Sequence, residues 1–114
     1  MSPGRDVVAA GVDEAAPVFF ALGDATRLRL VTRLCREGPL SIASLSAGAD
    51  VTRQAVTKHV RALEDAGLVR CKPGGARQRV WELQPRRLQE AVRYLDRIAR
   101  QWDGALERLR AYVE

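Results

Sequence analysis

The stretch TRQAVTKHVRALEDAG, residues 52–67, constrains this chain more than any other. It reads as one helix with both ends marked. Thr52 can accept from the free N–H groups of a first turn, and Gly67 can end the helix in the left-handed conformation that glycine adopts cheaply. Between them Val56, Val60 and Leu63 recur at i, i+4 and i+7 and share a face. Arg53, Gln54, Thr57, Lys58 and Arg61 lie mostly off that stripe. A short helix anchored by one face and offering Arg, Gln, Thr and Lys on the other suits the DNA major groove. There Arg pairs with guanine, Gln with adenine, and Thr and Lys reach phosphates or bases.

Charge supports this reading. The chain carries 19 Lys and Arg against 14 Asp and Glu, a net +5. Residues 51–81 hold seven bases (Arg53, Lys58, Arg61, Arg70, Lys72, Arg77, Arg79) against Glu64 and Asp65, so this segment accounts for the whole excess and the remainder nets to zero. A basic excess confined to one segment is a footprint for a polyanion; the alternative is a solvated charged face. The 114 residues fit a single domain with one core. No apolar run approaches the ~20 residues that span a bilayer, and the start lacks the apolar region of a secretory signal. The sequence therefore places the protein in the cytoplasm, with no membrane partner.

The remaining elements follow from pattern and caps. Residues 1–11 show no period and are expected to be a loose arm, with 7–10 able to add a turn of helix. Residues 13–22 predict a short helix with Val18, Phe19, Phe20 and Leu22 as apolar content; Pro17 fits near its first turn or at a kink. Asp24 is placed to cap a helix over 25–36 whose stripe is Leu28, Val31, Leu34 and Cys35, ended by Gly38-Pro39. Ser41 is placed to cap a further short helix, 42–47, with Ile42 and Leu45 inward. A tight connection through Gly48 leads to the helix at 52, giving a helix-turn-helix. After Gly67 the period becomes two. Residues 68–72 and 78–83 alternate around Pro73-Gly74-Gly75-Ala76, predicting a β-hairpin whose glycines supply positive φ in the turn. Its tip carries Lys72, Arg77 and Arg79 and reads as a wing along the DNA backbone or in the minor groove.

From Pro85 onward, Leu88, Val92, Leu95, Ala99, Trp102, Leu106, Leu109 and Val113 alternate in steps of four and three, a heptad pattern over a helix at 85–112. At 1.5 Å per residue this helix is about 40 Å long, longer than a compact domain of this size needs. The stripe is expected to pack on the same helix of a second copy, with burial inside its own domain as the alternative.

Three motifs in order resemble the ArsR/SmtB family of bacterial winged helix-turn-helix repressors. Ala21-Leu22-Gly23-Asp24-Ala25-Thr26-Arg27-Leu28-Arg29-Leu30 is similar to the family's opening. Gly38-Pro39-Leu40-Ser41-Ile42 is similar to its lead into the helix-turn-helix. The run from Arg53 to Val69 is similar to its recognition helix. The resemblance spans Ala21 to about Leu83. It implies a mainly α fold with a small β-hairpin, ordered α-α-α-α-β-β-α, as one domain over 1–114. It implies a homodimer reading a near-palindromic operator in double-stranded DNA, with the first and last helices forming the dimer interface. Family members release DNA when a metal, a small molecule or oxidation shifts that interface.

Here the chain departs from metal-sensing members: residues 42–47 carry no Cys-x-Cys, and 85–114 carry no His. His59 is grouped with the DNA-binding residues, packing at the helix–DNA margin or against the domain. No metal and no cofactor are expected. Cys35 reads as a small core residue, and Cys71 stands between Arg70 and Lys72; a redox switch through these two thiols is the alternative to inert packing. Phe19, Phe20, Tyr94 and Trp102 are expected either as plain interface core or as the lining of a pocket for an unidentified small-molecule inducer. With one His and no phosphate loop, nothing suggests an enzyme. The resulting assignment is a dimeric DNA-binding regulator. Arg53, Gln54, Thr57, Lys58, His59, Arg61, Lys72, Arg77 and Arg79 sit at the DNA, and Phe19, Phe20, Leu88, Val92, Leu95, Ala99, Trp102, Leu106 and Leu109 at the dimer interface. A winged-helix protein-interaction module without sequence-specific DNA binding is the alternative.

Overall fold

Three short polar side chains start three of the helices. In a computed structural model that describes residues 11–113, Asp24 accepts from the Arg27 amide at 3.0 Å, Ser41 from Ser44 at 3.1 Å and Thr52 from Ala55 at 3.1 Å. Each satisfies an N–H that a first turn leaves orphaned. They open α2 (Ala25–Glu37), α3 (Ile42–Ser46) and α4 (Arg53–Asp65). Ahead of these runs α1 (Val12–Leu22), with Pro17 in its interior rather than in its first turn. The arm and its suggested extra turn at 7–10 lie outside the described residues.

Gly67 ends α4 as expected, at φ 78°. Its amide reaches the Glu64 carbonyl at 2.9 Å and the Leu68 amide reaches Leu63 at 2.9 Å, the paired bonds of a left-handed helix stop. β1 (Val69–Pro73) and β2 (Arg79–Leu83) form an antiparallel pair with Cys71 opposite Trp81. The hairpin turn corrects the sequence reading. Positive φ falls on Ala76 (56°) and Arg77 (64°), inside a 3₁₀ turn over Gly75–Arg77, and not on the glycines. Gly74 serves space instead: a Cβ there would meet Val80 Cγ1 at 2.8 Å.

Leu40 adds a contact invisible in the sequence. It exchanges both backbone hydrogen bonds with Trp81, at 3.0 and 2.8 Å, and so pins β2 to the segment leading into α3. A two-stranded hairpin is marginal alone; this bridge and the burial of Leu68 and Val69 seat the wing on the helices. Arg33 holds the other side of the turn. It donates to the Ser44 and Leu45 carbonyls at 3.1 Å each and to Glu37 at 2.8 Å.

The core gathers Val18, Ala21, Leu30, Leu34, Leu45, Val56, Val60 and Leu63 with the start of β1 and Ala91. Val56, Val60 and Leu63 are fully buried, as their spacing required. The phase of α2 differs from expectation. Leu30 is buried while Leu28 is 49% exposed and Cys35 is exposed. Five apolar residues wrap more than half of this helix, so spacing alone admits two phases. Packing against α4 and β2 selects the one through Leu30 and turns Cys35 outward. Cys35 is therefore a surface thiol and not a core residue.

α5 (Pro85–Val113) stretches the molecule to 65 Å in its longest dimension. Leu88 packs against the core and Ala91 is buried, but Val92, Leu95, Ala99, Trp102, Leu106 and Leu109 stand exposed. Among the described residues nothing covers the stripe from Val92 to Leu109.

Candidate nucleic-acid interface

On α4 the buried stripe fixes which side chains point outward, and these divide into two sets. Arg53, Thr57 and Arg61, at four-residue steps, face the wing across an open groove of about 620 Å³. The opposite wall is built by Cys71, Gln78, Arg79 and Trp81, and Ser41 to Ala43 close one end. Gln54 and Lys58 are exposed but lie outside this groove, on the outer face of the helix. Thr57 donates its hydroxyl to the Arg53 carbonyl at 3.0 Å, which fixes the rotamer and leaves oxygen lone pairs outward. Glu64 and Asp65 line the far end. Their carboxylates oppose the cations of the groove at that end and leave its positive charge to Arg53, Arg61 and Arg79.

The wing cations are not equivalent. Arg77 and Arg79 are exposed. Lys72 is held by Glu82 at 3.0 Å, and Arg70 donates to the same carboxylate at 2.6 Å. The Arg70 hydrogen bond, followed by that of Lys72, holds the Glu82 carboxyl below its ordinary range. Lys72 is thus a partly spent cation. The basic segment counted in the sequence stopped one residue short of the acid that offsets it.

Glu82→Gln should release both cations. The expected result is tighter binding to any duplex at low salt, with the log affinity–log salt slope steeper by up to about two. Fluorescence anisotropy across a salt series measures this, and an unchanged slope would show that Arg70 and Lys72 never reach phosphate. The sign with pH follows from the lowered pKa. The ion pairs contribute stability above the ordinary glutamate range and lose it as pH falls through the depressed value.

His59 is brought to neither groove nor outer face. It is half-buried, with Nδ1 3.3 Å from Nη1 of Arg27. The Arg27 Nε donates to the Ala21 carbonyl at 2.6 Å, and Nη2 to Phe20 at 3.4 Å. One guanidinium thereby joins the end of α1, the start of α2 and α4. Sequence reasoning missed Arg27, Glu82 and Gln78 as residues of the site. Only Arg27 left a trace, three residues after a capping Asp.

Among the described residues no group of three or more His, Cys, Asp or Glu could hold a metal, and no helix is long and apolar enough to cross a membrane. Both cysteines are free thiols, Cys35 on the outer face of α2 and Cys71 in the groove wall. The four aromatics do not form one pocket within the chain. Phe19 and Tyr94 meet with centroids 6.3 Å apart, whereas Phe20 is 81% exposed beside the end of α4 and Trp102 is exposed far along α5.

A reading helix beside a basic hairpin, presented by a three-helix support, is the arrangement of a winged helix-turn-helix. The sequence matches the family described as Helix-turn-helix domain over residues 22–72. It is 41% identical over 86 residues to the HTH-type transcriptional regulator Rv2034 of Mycobacterium tuberculosis, covering 75% of this chain and 76% of that protein. Its fold superposes on the ArsR-like transcriptional regulator from Rhodococcus sp. RHA1 with a TM-score of 0.80 at 35% identity, over 92% of this chain and 97% of that one. The chain belongs to the ArsR family of helix-turn-helix transcriptional regulators. The fold also matches a homodimeric winged helix-turn-helix DNA-binding domain from Mycobacterium bovis, TM-score 0.62 at 21% identity over 95% of each chain. In this ArsR-family regulator α4 is the second helix of the helix-turn-helix and β1–β2 is its wing.

Proposed function

We propose that this regulator works as a cytoplasmic homodimeric repressor whose two recognition helices enter successive major grooves of a near-palindromic operator, about one helical turn apart. The observation that carries the reading is the groove in which Arg53, Thr57 and Arg61 face the cationic wing. Arg53, Gln54, Thr57 and Lys58 supply base readout. Arg61, Arg77 and Arg79 supply phosphate contacts, joined in part by Lys72. His59 acts from behind the helix, through its contact with Arg27. The unpaired α5 stripe supports pairing with a second copy, as does the homodimeric relative from M. bovis.

Gel shifts and anisotropy with selected and random duplexes test the reading. Gln54→Ala is expected to relax sequence preference while keeping general affinity. Arg77→Ala should weaken binding to every duplex and flatten the salt slope by about one. Absence of binding to any duplex at low salt would leave the protein-interaction alternative standing instead.

A further inference from the structure

α1 and α5 enclose a groove of about 360 Å³ with no wing residue in its lining. Its lining includes Glu14 and Ala15 from α1 and Glu90, Arg93, Tyr94 and Arg97 from α5. Arg97 stacks on Tyr94, with its guanidinium carbon 5.8 Å from the ring centroid. Its Nε is buried and has no hydrogen-bond partner. A charged N–H removed from water without an acceptor is costly, and natural structures rarely leave one so.

Among the described residues four other arginines of this helix have acids, and Arg108, near its end, does not. Arg86 and Arg87 share Glu90 at 3.4 and 3.3 Å, Arg100 pairs with Asp96, and Arg110 with Glu107 at 3.4 Å. Among the described residues neither Arg93 nor Arg97 forms an ion pair, although both line the same groove. Glu90 is already neutralised by its own two arginines. Among the described residues the groove therefore presents two guanidiniums, those of Arg93 and Arg97, without an acidic partner.

We infer that the α1–α5 groove binds a small organic carboxylate, held by Arg97 and Arg93, with its flat apolar body against Tyr94. A planar carboxylate matches the guanidinium fork, and the Tyr94 ring offers a stacking face. Glu14 on the rim penalises a dianion, which favours a carboxylate over a phosphate. At 100° per residue, Arg93 and Arg97 lie roughly opposite the Leu95–Leu106 stripe of α5, so a second copy seated on that stripe leaves them open. The inference does not depend on DNA reading, and either can fail without the other.

Phenylacetate titrated into the free protein, followed by ¹H–¹⁵N spectra, is the test. Phenylacetamide serves as the uncharged isostere and acetate as the charge alone. Phenylacetate is expected to shift the amides of Ala15, Tyr94 and Arg97 saturably, phenylacetamide to leave them unmoved, and acetate to bind more weakly. Arg97→Gln should weaken phenylacetate about tenfold or more, as loss of a charge-assisted hydrogen bond does, and Arg93→Gln should weaken it less. The helical spectrum of each variant checks its fold. Absence of shifts at millimolar ligand would overturn the site, as would equal binding of the amide. So would indifference to both Gln variants.

Discussion

Replacing Leu95 and Leu106 together by Asp is expected to leave each chain folded and to leave it single. Both side chains are exposed within the chain, at 51% and 41%, and neither belongs to the buried core, so the core keeps its packing. Both belong to the stripe that continues through Ala99, Trp102 and Leu109 with none of the described residues over it, an apolar seam too regular to be left in water. Placing two carboxylates on a seam that meets its own copy buries four like charges, which no aqueous dimer tolerates. Sedimentation should show a monomer with an unchanged far-UV spectrum. DNA affinity should fall by roughly 10²–10⁴-fold, because two half-sites then bind without the effective concentration that linkage supplies. A variant still dimeric at micromolar concentration would place the interface elsewhere. A monomeric variant with unaltered affinity would show that one reading head suffices.

Different parts of this architecture were legible in the sequence to different degrees, and the reason is range. Asp24, Ser41, Thr52 and Gly67 act on backbone groups within a few residues, so their positions announced the helix ends. Val56, Val60 and Leu63 left one phase open and were buried as spaced. α2 left two phases open, and its partners across the core, not its own pattern, placed Leu30 inside and Cys35 outside. The hairpin was visible from its alternation and glycines, but its positive φ fell on Ala76 and Arg77, while Gly74 sits where Val80 comes close. Glu82 faces Arg70 and reaches Lys72 only once the strands pair, so a charge count along the chain could not deduct it. The aromatics were counted as one group, although Phe19 and Phe20 are neighbours on a helix and must diverge.

Arg27 is the residue whose loss should be felt both in stability and at the DNA. Its three nitrogens point three ways, to the Ala21 carbonyl, the Phe20 carbonyl and the His59 ring. Its own amide donates to the capping Asp24 carboxylate and, as the largest cause, holds that carboxyl below its ordinary range. The Asp24 cap therefore contributes above the ordinary aspartate range and is lost as pH falls through the lowered value. Arg27→Ala keeps the amide and this cap but deletes the fork. Urea unfolding is expected to show a loss of about 1.5–3 kcal/mol, the range for hydrogen bonds to a charged group. DNA affinity should drop about tenfold under conditions where the variant remains folded, since α4 then loses its tie to the α1 end. Arg27→Lys should recover little of either, because an ammonium is a point charge that cannot span three acceptors in a fixed plane. A cycle with His59→Ala separates the two effects: coupling in DNA affinity assigns the His59 contact to the reading helix, whereas additive losses would reduce Arg27 to a cap on α1. Full recovery by Lys would remove the planar fork from the account altogether.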